Sequence, residues 1–184
     1  MTILAIILIL IVLTLVYAIV VFNNLVQLRE NVKNGWSQID VQLKRRHDLI
    51  PNLVETAKGY MGHERNTLEN VIKARQQAID ASSIKDKQAA ENFLTGTLRS
   101  LFAVSENYPN LKADTQMRQL HEEIVSTENK ITFARQYYND EVNRLNTTVQ
   151  SFPDNIIANA FHFEKREFFE LEDASEKTAP AVKF

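Results

Sequence analysis

The chain has 184 residues, with 21 basic and 23 acidic side chains and a formal net charge of −2. This near balance argues against the strongly basic surface that nucleic-acid binding requires, so no nucleic-acid partner is expected. The absence of cysteine excludes disulfides, thiol nucleophiles and cysteine-based zinc sites. Only four glycines and four prolines are present, and the prevalence of Leu, Ala, Glu, Gln, Lys and Arg predicts helices rather than sheet.

The first element is a run from Ile3 to Phe22 that contains no charge, proline or glycine. As a helix it would be about 30 Å long, which is the thickness of the hydrocarbon core of a bilayer. It is apolar on every side, whereas a buried helix of a soluble domain would carry a polar stripe. No Lys or Arg precedes the run and no small-residue cleavage site follows it, which disfavours a cleaved signal peptide. The sequence therefore predicts a retained membrane anchor over residues 1–23, with Ile3, Leu10, Leu15 and Phe22 among its membrane-spanning side chains.

The charges that flank the anchor set its expected orientation. Arg29, Lys33 and the basic run 44–46 follow the anchor, whereas only the terminal amine precedes it. The positive-inside rule therefore favours an N-terminus outside the cell and a domain in the cytoplasm.

The first domain helix is expected to continue directly from the anchor. Apolar residues recur every three or four positions from Leu25 to Ile50, with one turn missed near Arg46. Pro51 is expected to kink or restart this helix, with Asp48 as a cap for the new turn.

Three further long helices and one short helix follow without an internal repeat. Two of them are predicted at about 63–81 and 85–106. The fourth helix has the longest regular pattern, in which apolar or small residues alternate three- and four-residue steps over 117–152, the spacing of a coiled-coil seam. Pro153 ends this pattern, and a short helix is predicted over 155–163.

These elements predict an all-α protein in which an N-terminal transmembrane helix is continuous with an antiparallel four-helix bundle with long helices. The bundle is assigned to residues 24–163. Residues 164–184 are rich in Glu and Lys and are predicted to form a polar, partly disordered tail. Phe163, Phe168 and Phe169 interrupt that polar pattern.

Four blocks of the sequence resemble the bacterial LemA family. They are residues 36–55 (WSQIDVQLKRRHDLIPNLVE), then 58–60 with His63-Glu64 and Ala74-Arg75, then 108–113 with Thr127-Glu128, Ala134-Arg135 and Tyr138-Asn139, and finally Asn146 with Phe152-Pro153. The blocks extend over nearly the whole chain from the anchor to about Phe163, and the first block is long enough to be highly specific.

This resemblance implies a bacterial, single-pass protein of the inner membrane with a soluble helical bundle. It implies no catalytic residue and no cofactor, because the family has none established. One departure is the aromatic terminus, where the family often shows Gly-Phe followed by Tyr-Phe-Glu. Here the corresponding residues are His162-Phe163 and Phe168-Phe169-Glu170.

The histidines offer no metal-binding motif. His63-Glu64 and His121-Glu122 resemble the start of an HExxH motif, but neither pair has a second histidine four residues after the first. The Glu-x-x-His pairs that build di-iron sites in helical bundles are also absent from the sequence. We therefore expect no metal site, and we interpret the histidines as solvated residues on helix faces.

The candidate structural or interaction residues lie on the first domain helix. The run 44–46 could bind acidic lipid headgroups or a partner, but a solvated or salt-bridged helix face is the favoured interpretation. The only tryptophan is favoured as a core residue, because it lies too far past the anchor for an interfacial belt. The full set of candidates is Trp36, Asp40, Arg45, Arg46, Asp48 and Pro51.

Two classes of function fit this sequence. The first is a non-enzymatic, membrane-anchored helical scaffold that self-assembles at the inner membrane. Its partners would be the lipid bilayer, further copies of the chain and, as an additional candidate, another envelope protein. The alternative is an accessory subunit of a membrane protease or transporter, or an enzyme with an unrecognised site. A scaffold should show an exposed apolar patch, whereas an enzyme needs a concave pocket with convergent polar groups.

Overall fold

A computed structural model describes residues 1–170, and most of the predicted polar tail, residues 171–184, lies outside the described residues. Between residues 1 and 170 the chain forms helices and no strand. The six helices of this part are α1 (Thr2–Lys58), α2 (Arg65–Asp80), α3 (Ile84–Ser105), α4 (Pro109–Ala113), α5 (Thr115–Gln150) and α6 (Asp154–Ala160). The predicted all-α fold with an N-terminal transmembrane helix and a helical bundle is confirmed.

Helix α1 joins the apolar run to the domain without a break. Its 57 residues include Pro51, and the helix continues through this proline to Lys58. The predicted restart with a cap at Asp48 therefore does not occur, and Asp48 is an exposed residue inside the helix. Among the described residues, α1 is the one helix that is long and apolar enough to cross a membrane.

The chain divides into two compact units. Unit 1 comprises residues 1–40 and 133–168, and among the described residues unit 2 comprises 41–132 with Phe169 and Glu170. Unit 1 therefore contains the first part of α1, the last part of α5 and all of α6. Unit 2 contains the last part of α1, then α2, α3 and α4, and the first part of α5.

Gly35 permits a close approach of α1 to α5 within unit 1. A Cβ atom at this position would lie 3.0 Å from the Cα of Tyr138 and 3.3 Å from a ring carbon of Tyr137. At the next position, the Trp36 ring packs edge-on against the Tyr138 ring with the centroids 5.5 Å apart. The absence of a side chain at position 35 is thus what lets the two helix backbones meet.

Unit 2 has a continuous apolar core to which all of its helices contribute. Burial of these side chains is the main favourable contribution to its folding. Its buried members are Ile50, Leu53, Val54, Ala57, Met61, Leu68, Val71, Ala74, Ala78, Leu94, Leu98, Leu101, Leu111, Met117, Leu120 and Ile124.

Burial along α5 follows the predicted three- and four-residue steps. The last predicted position, Phe152, lies beyond the end of α5 and is 80% exposed. The other seam residues are all buried: Met117, Leu120, Ile124, Thr127, Ile131, Ala134, Tyr138, Val142, Leu145 and Val149.

Helix α6 ends in a left-handed turn at His162, whose φ is 56°. The amide of Phe163 donates to the carbonyl of Ala158 at 2.9 Å across this turn. This hydrogen bond is the one that closes a helix C-terminus when the residue after the cap adopts the left-handed conformation.

We expect Gly35→Ala to lower the free energy of unfolding relative to Gly96→Ala. The methyl group added at position 35 meets the backbone of α5 at 3.0 Å, and overpacking typically costs about 1–3 kcal/mol. Gly96 also lies inside a helix, but nothing lies within 4 Å of a Cβ built there. The control should therefore retain the gain in helix propensity, about 0.5–1 kcal/mol. Urea unfolding of the full-length protein in mild detergent, followed by circular dichroism, measures both changes, and equal effects would contradict the close approach.

Candidate functional site

A buried charged cluster lies in unit 2. It is centred on the one turn of the first domain helix at which the apolar pattern has a charged residue instead of an apolar one. Arg46 occupies this position, three residues after Leu43 and four before Ile50, and it is fully buried at 0% exposure. Helical spacing directs its side chain into the core together with those two residues. The basic run was predicted to lie on a solvated or salt-bridged helix face; Arg46 forms salt bridges but is buried rather than solvated.

Two carboxylates from other helices face the Arg46 guanidinium. Its Nη2 pairs with Glu91 of α3, and its Nη1 pairs with Glu128 of α5. Nη1 also donates to the hydroxyl of Thr95 at 3.1 Å. Charge-assisted hydrogen bonds of this kind are the strongest in proteins, and here they join α1, α3 and α5.

His47 is a second buried member of the cluster. Its Nε2 lies 2.9 Å from the other carboxylate oxygen of Glu91, and the residue is 8% exposed. The prediction of a solvated histidine is wrong for His47. This residue follows the core position 46 on α1, and its side chain faces α3. The other histidines, at positions 63, 121 and 162, are exposed as predicted.

Pro51 provides the point on α1 to which α2 binds, although α1 itself continues through the proline. A proline has no N–H, so the carbonyl of His47, four residues earlier, lacks its usual helical donor. The Nε of Arg75 in α2 donates to this carbonyl at 2.7 Å. The proline therefore leaves one acceptor free inside α1, and α2 uses it.

The Glu91 carboxyl remains ionised in this setting. Burial raises its pKa, but the hydrogen bond to His47 and the charge of Arg46 together lower the pKa by more. The net result is a pKa below the ordinary value of a glutamate. An ionised Glu91 in turn provides the counter-charge that a buried guanidinium needs.

The Arg46–Glu91 pair is closed to solvent. The two side chains are 0% and 1% exposed and bind one another, whereas the Glu128 side chain is 35% exposed. Within residues 1–170, no group of three or more His, Asp or Glu side chains is placed to hold a metal ion. What the arrangement can do is fix four helices in one register.

The remaining candidate residues do not join the cluster. Arg45 is exposed, and its Nη2 lies 3.7 Å from a carboxylate oxygen of Glu123. Asp40 is exposed on α1, as is Asp48. Trp36 is half-buried in unit 1, where its ring packs against that of Tyr138.

A concave cavity of about 550 Å³ lies elsewhere in unit 2. Sequence reasoning missed it because its residues come from the end of α1, the following turn and α2, and no motif marks them. Apolar side chains form its floor and charged side chains form its rim; the lining residues are Val54, Lys58, Met61, Gly62, Arg65, Leu68, Glu69, Ile72 and Lys73.

The segment after α6 is attached to α5 through its main chain in unit 1. The Asn146 amide binds both main-chain groups of Arg166: its oxygen accepts from the N–H at 2.8 Å, and its nitrogen donates to the carbonyl at 2.9 Å. The Tyr138 hydroxyl donates to the carbonyl of Glu167 at 2.8 Å. Phe163 and Phe169 are buried. Hydrogen bonds therefore attach the first residues of the predicted polar tail to α5.

We expect Arg46→Ala to reduce the free energy of unfolding by about 3–5 kcal/mol, because it leaves Glu91 buried without its counter-charge. Arg45→Ala is the matched control. Its side chain is 52% exposed in a pair with Glu123, so its loss should cost at most about 1 kcal/mol. Urea unfolding of the full-length protein measures both values.

A double variant separates loss of charge balance from loss of packing. Arg46→Met with Glu91→Leu removes the guanidinium and the fully buried carboxylate and keeps apolar volume. Glu128 loses its partner but is 35% exposed and can be solvated, so the double variant should recover most of the stability lost in Arg46→Ala. Equal losses for Arg45→Ala and Arg46→Ala would contradict a buried ion cluster.

Comparison with known proteins identifies the family. The model of the LemA family matches residues 35–184. Protein LemA of Metamycoplasma hominis is 26% identical, over 74% of this chain and 63% of the relative. Magnetosome protein MamQ 2 of Paramagnetospirillum magneticum is 22% identical, over 84% of this chain and 66% of the relative. Magnetosome protein MamQ of Magnetospirillum gryphiswaldense is 21% identical over the same shares.

The chain thus spans 63% to 66% of the length of these curated relatives. The family match covers most of this chain, including all of the blocks from which the resemblance was inferred. The apolar first part of α1 lies before that match and supplies a helix able to cross a membrane. The chain belongs to the LemA family, as a membrane-associated member of it.

Proposed function

We propose that this protein is a non-enzymatic, membrane-anchored scaffold that self-assembles at the bacterial inner membrane. The observation that carries this proposal is α1, a single helix of 57 residues that contains both the apolar run and core residues of both units. A continuous helix has no flexible linker between anchor and domain, so an anchored copy holds its domain in a restricted orientation. Restricted orientation favours lateral assembly of identical copies, because less rotational freedom is lost on contact.

The described surface supports contact with other proteins. Large apolar side chains are exposed in each unit, among them Phe133 in unit 1 at 70% and Val41 and Phe93 in unit 2 at 62% and 52%. The relatives are also named as LemA and magnetosome proteins rather than by a reaction. Both observations favour a binding role for this chain over a catalytic one.

The proposal includes a domain on the cytoplasmic side. Arg29 and Lys33 follow the anchor, and both pair with Glu30, at 3.3 and 2.8 Å. Acidic residues contribute little to the positive-inside rule, so the two cations still favour this orientation.

Protease added to intact spheroplasts should therefore leave the domain uncut, because the inner membrane shields it. Lysis of the same spheroplasts should expose the domain to cleavage, which serves as the control. Immunoblotting of the domain measures both states. Cleavage before lysis would reverse the orientation.

In mild detergent, the full-length protein should form a discrete large species. The matched control is a chain lacking residues 1–16, which keeps Tyr17 and Phe22 but loses most of the apolar run. This chain should be a monomer, because assembly is proposed to depend on packing of the apolar helices. Light scattering gives both masses. A monomer mass for the full-length protein would contradict self-assembly.

The cavity in unit 2 favours a second candidate function, that of an accessory subunit of a membrane protease or transporter. Its floor is apolar and its rim carries Lys58, Arg65 and Lys73 against a single carboxylate, Glu69. This combination fits an acidic amphipathic segment of another protein. Cross-linking in intact membranes through the rim lysines distinguishes the two functions. Links between identical chains support the scaffold, and links to a different envelope protein support the accessory role.

A further inference from the structure

We propose that the corner after α5 is a second membrane contact, which inserts into the interfacial layer of the bilayer that α1 crosses. We name residues 152–161, which include α6, the foot. This inference goes beyond self-assembly and rests on the proposed anchoring of α1. Its partner is the lipid surface next to the anchor.

The foot packs against the last part of the apolar run, within unit 1. The hydroxyl of Tyr17 donates a hydrogen bond to the carboxylate of Asp154. The ring of Phe22 lies with its centroid 4.8 Å from that of Phe161, at an interplanar angle of 60°. The centroid of the Phe22 ring is also 5.8 Å from that of Phe163. The foot therefore lies beside residues 17–22 of α1.

This position sets a depth for the foot. The apolar run ends at Phe22, and Tyr17 precedes that end by about 7.5 Å along the helix. If the foot stood outside the bilayer, only residues 3–16 could span it, a length of about 21 Å against a hydrocarbon core of about 30 Å. Immersing the whole run brings the foot about 5–10 Å into the boundary between headgroups and acyl chains, the depth of interfacial amphipathic helices.

The outward side chains of the foot suit that depth. Phe152, Ile156 and Phe161 are 80%, 58% and 58% exposed. They form the part of unit 1 that continues the exposed apolar surface of the run, so lipid can cover both together. The hydrogen bond from Tyr17 reduces the cost of holding the Asp154 carboxylate close to hydrocarbon.

Cations lie next to the foot, on the side away from the N-terminus of α1. The guanidinium carbon of Arg29 is 5.5 Å from the centroid of the Phe163 ring. Lys165 and Arg166 are exposed, and Lys165 donates to the side-chain oxygen of Gln150 at 2.8 Å. Aromatic side chains followed by cations match the order of acyl boundary and anionic headgroups.

The test uses the full-length protein in vesicles of phosphatidylcholine and phosphatidylglycerol, with bromine near the headgroup end of the acyl chains. Trp36→Phe removes the only tryptophan and retains a ring against Tyr138. In this background, Phe152→Trp should lose most of its fluorescence in brominated vesicles and emit at shorter wavelength. Circular dichroism confirms that each variant is folded.

The matched control is Phe133→Trp, an aromatic position in α5 that is 70% exposed. It lies about 25 Å before the end of α5 and should keep its fluorescence. Quenching at Phe152→Trp together with no quenching at Phe133→Trp supports the foot. Equal quenching at the two positions overturns it.

Leu10→Trp in the same background, measured in vesicles that carry bromine deep in the acyl chains, reports insertion of the anchor alone. Quenching at Leu10→Trp without quenching at Phe152→Trp overturns the foot and leaves the anchor in place. Emission at short wavelength from Phe152→Trp without quenching by bromine means that the foot contacts protein, such as a second copy, which also overturns the proposal. If neither Leu10→Trp nor Phe152→Trp is quenched, the result contradicts both the anchor and the foot.

Discussion

The buried guanidinium of Arg46 restricts how the helices of unit 2 can be assembled. A cation in the core requires carboxylates beside it, so Glu91 of α3 and Glu128 of α5 must face the same turn of α1. Rotating any of these helices by one residue would turn a partner away and leave a charge buried alone. Apolar packing alone is less selective, because cores accept hydrophobic side chains of similar volume in many combinations. The ion cluster therefore selects one arrangement among the many that burial of leucines and valines would allow.

Three of the four blocks that resemble the LemA family contribute residues to this cluster. Arg46 and His47 belong to the first block, Arg75 to the second and Glu128 to the third, although they are far apart in the sequence. Pro51, also in the first block, frees the carbonyl that Arg75 binds. The role of these residues in positioning helices thus accounts for their presence in the blocks, and no catalytic role is needed to explain them.

The helices and the seam of α5 could be predicted because each depends on residues close together in the sequence. The contacts of Arg46 could not, since its partners lie 45 and 82 residues away and charge alone does not name them. One local signal was present: a charged residue at a core position requires a buried counter-charge. For the same reason, the contact between His47 and Glu91 could not be predicted from the sequence. The restart expected at Pro51 does not occur: α1 continues, and the carbonyl freed by the proline accepts a hydrogen bond from Arg75.

The turn at His162 has a consequence for how the end of unit 1 is held. A left-handed φ of 56° suits glycine, and the family pattern often has glycine before this phenylalanine. Histidine adopts the same conformation at a cost of about 1–2 kcal/mol. The hydrogen bonds from Asn146 offset this cost from outside the turn. They reach only the main chain of Arg166, so they do not depend on which side chain occupies position 166. The residues of this segment can therefore vary while the main chain keeps the same conformation.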